Sequence, residues 1–115
     1  MIDFYGIPNC DTVKKARTWL EAEGIPYKFR DYRANGLDRS DVERWVKALG
    51  WEKVLNKAST TWRELPDAEK AGVDQARAIG LMLQHPTLVK RPVLETGGAV
   101  SVGFKPADWG ERFGK

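Results

Sequence analysis

Residues 2–20, IDFYGIPNCDTVKKARTWL, carry the clearest fold signal and contain the single cysteine of the chain, Cys10. It opens with a short, mostly apolar run that ends at Gly6 and Pro8, which predicts a strand followed by a turn. Beyond the turn, apolar residues recur at the spacing of one buried helix face, at Val13, Ala16 and Leu20. The sequence therefore predicts a strand, a turn that carries the cysteine, and a helix that begins directly after it.

The region that follows is predicted to be one further strand and then a helical middle. The strand is expected at residues 27–30, after the helix-stop residues Gly24 and Pro26. Helical patterns then run over about residues 36–86, where His85-Pro86 stops the last of them. The candidate caps of these helices are polar residues that precede apolar faces: Asp38 or Ser40, Thr61 and Asp74.

The end of the chain is predicted to return to strands. The runs at 92–95 and 99–102 flank Gly97-Gly98, which is typical of a β-hairpin, and Pro106 opens a last helix. We therefore expect a single α/β domain over residues 1–115, in which a β-α-β start and a hairpin-helix end enclose the helical middle.

Composition and charge narrow the class of protein. The chain has 115 residues, a formal net charge of +3 and a pI of about 9.1. This mildly basic balance suits an anionic small molecule and is too weak to predict binding to nucleic acid. One cysteine allows no internal disulfide, which favours a reducing compartment. With no leader and no membrane-length apolar run, we expect a cytoplasmic protein, a monomer by default, with no membrane partner.

Cys10 is the leading candidate for chemistry. It lies at a predicted helix N-terminus, where partial positive charge and unpaired N–H groups stabilise a thiolate, the reactive form of cysteine. The negative charge of Asp11 opposes this effect, so the sequence leaves open whether the thiolate form of Cys10 is favoured. The alternative is a buried structural cysteine, but Cys10 lies in a polar turn outside the apolar stripe.

The other candidates are weaker when taken one at a time. Arg91 can bind carboxylates and oxyanions, although the motif alone slightly favours a solvated surface arginine beside an edge-strand proline. Lys57 and Lys105 are surface lysines by default, and His85 is expected to be a structural or helix-capping residue. One cysteine and one histidine cannot form a zinc site, so we expect no metal and no tightly bound cofactor.

Segments spread along the whole chain resemble the arsenate reductase (ArsC)/Spx family of thioredoxin-like proteins, and most of all its YffB branch. The segments that carry the resemblance are FYGIPNCDTVKKA from residue 4, DYR from 31, GWE from 50, TTWR from 60, MLQHP from 82 and KRP from 90. The resemblance implies a thioredoxin-like fold with an all-helical insertion at about residues 36–86.

It also implies roles for individual residues. Cys10 matches the catalytic cysteine, Arg91 matches an arginine that binds the oxyanion, and Pro92 matches a proline that is typically cis beside the thiol. Lys57 and Lys105 stand where arsenate reductases have further arginines. The expected substrate- or glutathione-binding residues are Asn9, Asp11, Thr12, Lys57, Arg91, Pro92 and Lys105.

Three departures from the family pattern change the expected activity. Lysine at 57 and 105 lacks the planar fork that grips an oxyanion with two bonds. Gly6-Ile7 replaces a His-Asn pair whose histidine helps to activate the thiol. Val13 stands where a Cys-x-x-Cys switch would have its second cysteine, so a mixed disulfide on Cys10 needs an outside thiol to resolve it.

The function expected from these residues is that of a glutathione-dependent thiol oxidoreductase, with glutathione as co-substrate. Two alternatives stay open: an arsenate reductase that works with glutathione and glutaredoxin, and an Spx-like regulator that binds RNA polymerase.

Overall fold

The computed structural model describes residues 2–114 and confirms the predicted order of strands and helices. A 3-10 turn lies at Pro86–Leu88, after the last helix of the middle region and before the hairpin. The elements in chain order are β1 (Ile2–Gly6), α1 (Asp11–Ala22), β2 (Tyr27–Asp31), α2 (Tyr32–Asn35), α3 (Arg39–Leu49), α4 (Trp51–Val54), α5 (Thr60–Glu64), α6 (Asp67–Lys70), α7 (Gln75–Gln84), β3 (Val93–Thr96), β4 (Ala99–Val102) and α8 (Pro106–Arg112).

The elements belong to two compact units. The first unit consists of the described residues up to 34 and from 91 onward, and the second consists of residues 35–90. None of the helices between residues 2 and 114 combines the length and the apolar character that a membrane crossing requires.

The first unit is built on a four-stranded mixed sheet with the order β2-β1-β3-β4. β1 runs parallel to β2 and antiparallel to β3, with Gly6 opposite Asp31 and Tyr5 opposite Val93. Gly97 and Gly98 form the predicted hairpin turn between β3 and β4, and their φ angles of 53° and 88° lie in the region that favours glycine.

Apolar side chains of α1, β1, β3 and α8 form the core of this unit. The predicted face of α1 is confirmed, because Val13, Ala16 and Leu20 are fully buried. Trp109 of α8 is also buried, and its ring makes edge contacts with those of Phe104 and Trp19. This packing fixes α1 and α8 against the sheet.

Gly6 sets how closely α1 approaches the end of β1. A Cβ atom at this position would lie 3.0 Å from Cγ2 of Val13 and 3.3 Å from Cε1 of Phe4. Contacts this short are tighter than most real Cβ contacts, so a side chain at position 6 would push Val13 and α1 away from the strand by a few tenths of an ångström. The turn that carries Cys10 connects the two elements at this point.

The second unit is helical. The buried face of α3 consists of Val42, Trp45 and Val46, and α3 packs against α7. The predicted cap of α7 is confirmed, since the Asp74 carboxylate accepts a hydrogen bond from the backbone N–H of Arg77 at 2.9 Å.

Two details of the helical unit differ from the sequence-based predictions. Ser59, not Thr61, caps α5, because its Oγ accepts a hydrogen bond from the backbone N–H of Trp62 at 3.1 Å. The Thr61 hydroxyl is instead paired with that of Thr87 at 2.5 Å. The apolar spacing within α3 and α7 also predicts that Leu49 and Leu83 face inward, but both are only half-buried.

Candidate active site

Cys10 lies at the N-cap of α1, as the sequence predicts. Its backbone is extended and its carbonyl accepts the first helical hydrogen bond, from the N–H of Lys14 at 2.9 Å. The thiol is free and half-buried, and it makes no capping hydrogen bond. The unpaired N–H groups of the first turn and the helix dipole both favour a negative charge at this position, so the geometry suits a nucleophilic thiolate.

The sheet topology brings two other segments to the same end of the first unit. The carboxyl ends of β1 and β2 lie side by side, because these strands are parallel and in register up to Gly6 and Asp31. The start of β3 lies at this end as well, because β3 runs antiparallel to β1. The turn of Cys10, the first residue of α2 and the segment before β3 therefore meet.

Arg91 and Pro92 form the segment before β3. The peptide bond between them is cis, the form that the resemblance implies. Pro92 is buried and its carbonyl accepts a hydrogen bond from the N–H of Gly103 at 2.9 Å, whereas Arg91 is half-buried. The guanidinium of Arg91 is close enough to Tyr32, the first residue of α2, to act on its hydroxyl.

Tyr32 is the site residue that sequence reasoning missed. It is 2% exposed, and its neutral hydroxyl has no hydrogen-bond partner of normal geometry among residues 2–114. Burial raises the pKa of this hydroxyl above its ordinary value of 10.0. Arg91 opposes the rise in pKa, because its charge and the hydrogen bond that it can donate to the ionised oxygen favour the ionised form. Negative charge at Cys10 and Asp31 adds to the rise.

This arrangement places a free thiol, a cation and a neutral donor at one end of the sheet: Cys10, Arg91 and Tyr32. A signal for Tyr32 was present in the sequence, since it follows the second predicted strand directly. Residues just beyond the carboxyl ends of adjacent parallel strands are frequent site residues in α/β folds.

The remaining predicted residues fall into two groups. Asn9, Asp11 and Thr12 are exposed beside Cys10, and Asp11 is the first residue of α1. Lys105 is exposed at the N-cap of α8, where it lines a cavity of about 450 Å³ with Ser101, Trp109 and Arg112. Cys10 does not line this cavity, so a role of Lys105 toward the thiol stays a prediction.

Lys57 belongs to the second unit, where its ammonium lies between two indole rings. Its Nζ is 5.4 Å from the ring centroid of Trp51 and 5.7 Å from that of Trp62. Both distances are within the range of cation–π attraction, so the rings hold the charge of Lys57 in place. Its predicted role in binding a substrate of Cys10 stays a prediction.

The isolated hydroxyl of Tyr32 leads to a prediction about stability. We expect Tyr32→Phe to raise the free energy of unfolding by about 1 kcal/mol at neutral pH, because it removes a buried hydroxyl without a hydrogen bond. The folded-state pKa of this hydroxyl lies above the unfolded value of 10.0, so its neutral form is favoured in the fold and wild-type stability falls as the pH rises past 10.

Urea unfolding of both proteins at pH 7 and at pH 10 to 11 measures this effect. The difference in free energy of unfolding between Tyr32→Phe and the wild type should increase over the alkaline range, because phenylalanine does not ionise. A variant less stable than the wild type at both pH values would contradict the prediction.

Metal binding has no support in this part of the chain. Between residues 2 and 114 there is no group of three or more His, Cys, Asp or Glu side chains that could hold a metal ion.

The sheet order, the thiol at the start of the first helix and the proline before β3 define a thioredoxin-like protein with a single site cysteine. The chain belongs to the ArsC family, whose model matches residues 5–112. The predicted thioredoxin-like fold and family are thereby confirmed.

Individual relatives agree with this assignment. A solved structure of a protein named YFFB is 51% identical with a TM-score of 0.93, over 96% of this chain and 97% of that one. An arsenate reductase (ArsC) related protein from Brucella melitensis is 52% identical with a TM-score of 0.79, over 97% of this chain and 93% of that one. The global transcriptional regulator Spx of Listeria innocua is 26% identical, over 90% of this chain and 80% of the regulator.

Proposed function

We propose that the protein is a glutathione-dependent thiol oxidoreductase that uses Cys10 as its nucleophile. The observation that carries the proposal is the free, half-buried thiol at the start of α1, at the same end of the sheet as Arg91. The chain contains no second cysteine, so a disulfide formed on Cys10 has to be resolved by a thiol from outside.

The proposed reaction starts from a mixed disulfide between glutathione and a substrate thiol. The Cys10 thiolate attacks the glutathione sulfur, the original S–S bond breaks, and the substrate leaves as a thiolate that takes a proton from water. A second glutathione thiolate then attacks the glutathione sulfur bound to Cys10. This step releases the Cys10 thiolate and forms oxidised glutathione, so the substrate thiol is reduced while glutathione is oxidised.

Charge supports glutathione as the co-substrate. Glutathione is an anionic tripeptide, and Arg91 supplies a permanent cation that can bind a carboxylate with two parallel hydrogen bonds. In this proposal Asn9, Asp11, Thr12 and Pro92 flank the bound glutathione. Lys105 provides further positive charge for it.

The test is to incubate the protein with oxidised glutathione at neutral pH and to record its intact mass. We expect one added glutathionyl group, which must be on Cys10 because no other cysteine is present. Reduced glutathione should then remove it. No adduct under conditions that modify a free cysteine peptide would contradict the proposal.

The family includes two other functions, and each has an observation in its favour. The Brucella melitensis relative, which is called an arsenate reductase (ArsC) related protein, favours arsenate as the substrate. Arsenate-dependent oxidation of glutathione with glutaredoxin supplied would establish that activity. The similarity to Spx favours a transcriptional regulator, for which recovery of RNA polymerase subunits on the immobilised protein is the corresponding test.

A further inference from the structure

The Tyr32 hydroxyl is a buried polar group at this end of the sheet that the proposed reaction does not use. It has no hydrogen-bond partner of normal geometry among residues 2–114, although burying a hydroxyl in this state is unfavourable. Phenylalanine would fill the same volume without that penalty. A buried hydroxyl that the fold itself leaves without a partner is accounted for when a ligand supplies the acceptor.

The position of Tyr32 indicates where such a ligand binds. Tyr32 follows β2 directly, and the in-register pairing of Gly6 with Asp31 puts it beside the turn that leads from β1 to Cys10. The antiparallel pairing of β1 with β3 puts Arg91 at the same end. The hydroxyl is close enough to Arg91 and Cys10 to interact electrostatically with both, yet it makes no hydrogen bond to the sulfur.

The chemistry of the two neighbouring groups indicates what the ligand carries. A tyrosine whose ionisation is suppressed by burial remains a hydrogen-bond donor at neutral pH. Arg91 is a donor as well and carries a permanent positive charge. Two donors of which one is cationic suit an acceptor that is negatively charged, such as a carboxylate or an oxyanion.

We propose that Tyr32 is a ligand-binding residue whose hydroxyl donates a hydrogen bond to an anionic oxygen that Arg91 holds beside Cys10. The site then prefers ligands that have this oxygen close to the atom that the thiolate attacks. The inference rests on the proposed role of Cys10 as the nucleophile, and it adds a residue that selects the ligand.

The experiment compares two alkylating reagents that differ in charge. Iodoacetate and iodoacetamide both form a bond from carbon to Cys10 Sγ and release iodide, but only iodoacetate has a carboxylate. The ratio of the two rate constants cancels any change in the reactivity or accessibility of the thiol. We expect Tyr32→Phe to lower the ratio of the iodoacetate rate to the iodoacetamide rate about tenfold, through loss of one hydrogen bond to a charged group.

Tyr27→Phe is the matched control. Tyr27 lies in the same unit, but its hydroxyl already accepts a hydrogen bond from Arg17 at 3.1 Å and donates one to Glu21 at 3.0 Å. Its removal should leave the ratio unchanged. A ratio in Tyr32→Phe within about twofold of the wild-type value, or an equal fall in both variants, would overturn the inference.

Protection experiments identify the source of the anionic oxygen. S-methylglutathione and sulfate are each tested for slowing the reaction of Cys10 with iodoacetamide. Protection by S-methylglutathione that weakens in Tyr32→Phe assigns the oxygen to a carboxylate of glutathione. The same pattern with sulfate assigns it to an inorganic oxyanion. Protection by both compounds that is equal in the two proteins would overturn the inference.

The inference and the proposed function can fail separately. A lowered rate ratio in Tyr32→Phe, in a protein that forms no glutathione adduct, would support the anion site and reject the oxidoreductase. A normal adduct in both proteins together with an unchanged ratio would reject the role of Tyr32 and leave the oxidoreductase standing.

Discussion

Cys10→Ser is expected to abolish thiol transfer and, at the same time, to stabilise the fold. The serine hydroxyl is not ionised at neutral pH and does not attack a disulfide, so the rate of exchange should fall by at least about a thousandfold. The side chain of Cys10 makes no capping hydrogen bond, whereas serine is a preferred N-cap residue. The free energy of unfolding should therefore rise by about 0.5–1 kcal/mol.

The rate of release of a thiol from its mixed disulfide with glutathione measures the first effect, and urea unfolding measures the second. Cys10→Ala is the matched control, because it removes the sulfur without offering a cap. It should lose the activity equally and show no gain in stability. Residual exchange by either variant above the rate without protein would reject Cys10 as the nucleophile.

Trp109→Ala is expected to have the largest effect on stability. Trp109 is 3% exposed, and its ring centroid lies 4.6 Å from that of Phe104 and 5.8 Å from that of Trp19. Removing a buried tryptophan leaves a cavity that the surrounding chains fill only in part, so the free energy of unfolding should fall by about 3–5 kcal/mol. Urea unfolding, monitored by near-ultraviolet circular dichroism, measures this fall in the free energy of unfolding.

Trp51→Ala provides the comparison for that measurement. Trp51 is half-buried at the start of α4, and less of its surface leaves water on folding. Its replacement should lower the free energy of unfolding by less than half as much as the replacement of Trp109. Equal losses in the two variants would mean that the ring cluster around Trp109 adds nothing beyond ordinary burial.

The elements predicted correctly from the sequence are those that local chemistry determines. The β-α-β start follows from one apolar run, one turn and one helical stripe, and the hairpin follows from Gly97 and Gly98. The cap of α7 could be predicted because Asp74 is the one good capping residue at that boundary. Each of these signals lies within a few residues of the feature that it determines.

The parts that could not be predicted depend on contacts between distant segments. Ser59 and Thr61 are both good caps by residue type, and only the folded backbone decides that the N–H of Trp62 is bonded to Ser59. The role of Tyr32 depends on burial of its hydroxyl near Arg91, a residue from the far end of the chain. The sequence pattern identifies the residue type at each position but not the groups that surround it in the fold. A buried hydroxyl without a partner can therefore be recognised only in the folded structure.

The close contact at Gly6 links two positions in any attempt to redesign this protein. The family resemblance implies a thiol-activating histidine in arsenate reductases where this chain has Gly6. A side chain at this position would begin 3.0 Å from Val13, within the contact that seats α1 on the sheet. A histidine at position 6 therefore needs either a shift of Val13 by a few tenths of an ångström or a smaller residue at position 13, which lies one helical turn after the thiol. Conversion toward that chemistry couples the two positions, because the histidine alone leaves a tight contact and a smaller residue at 13 alone leaves a cavity.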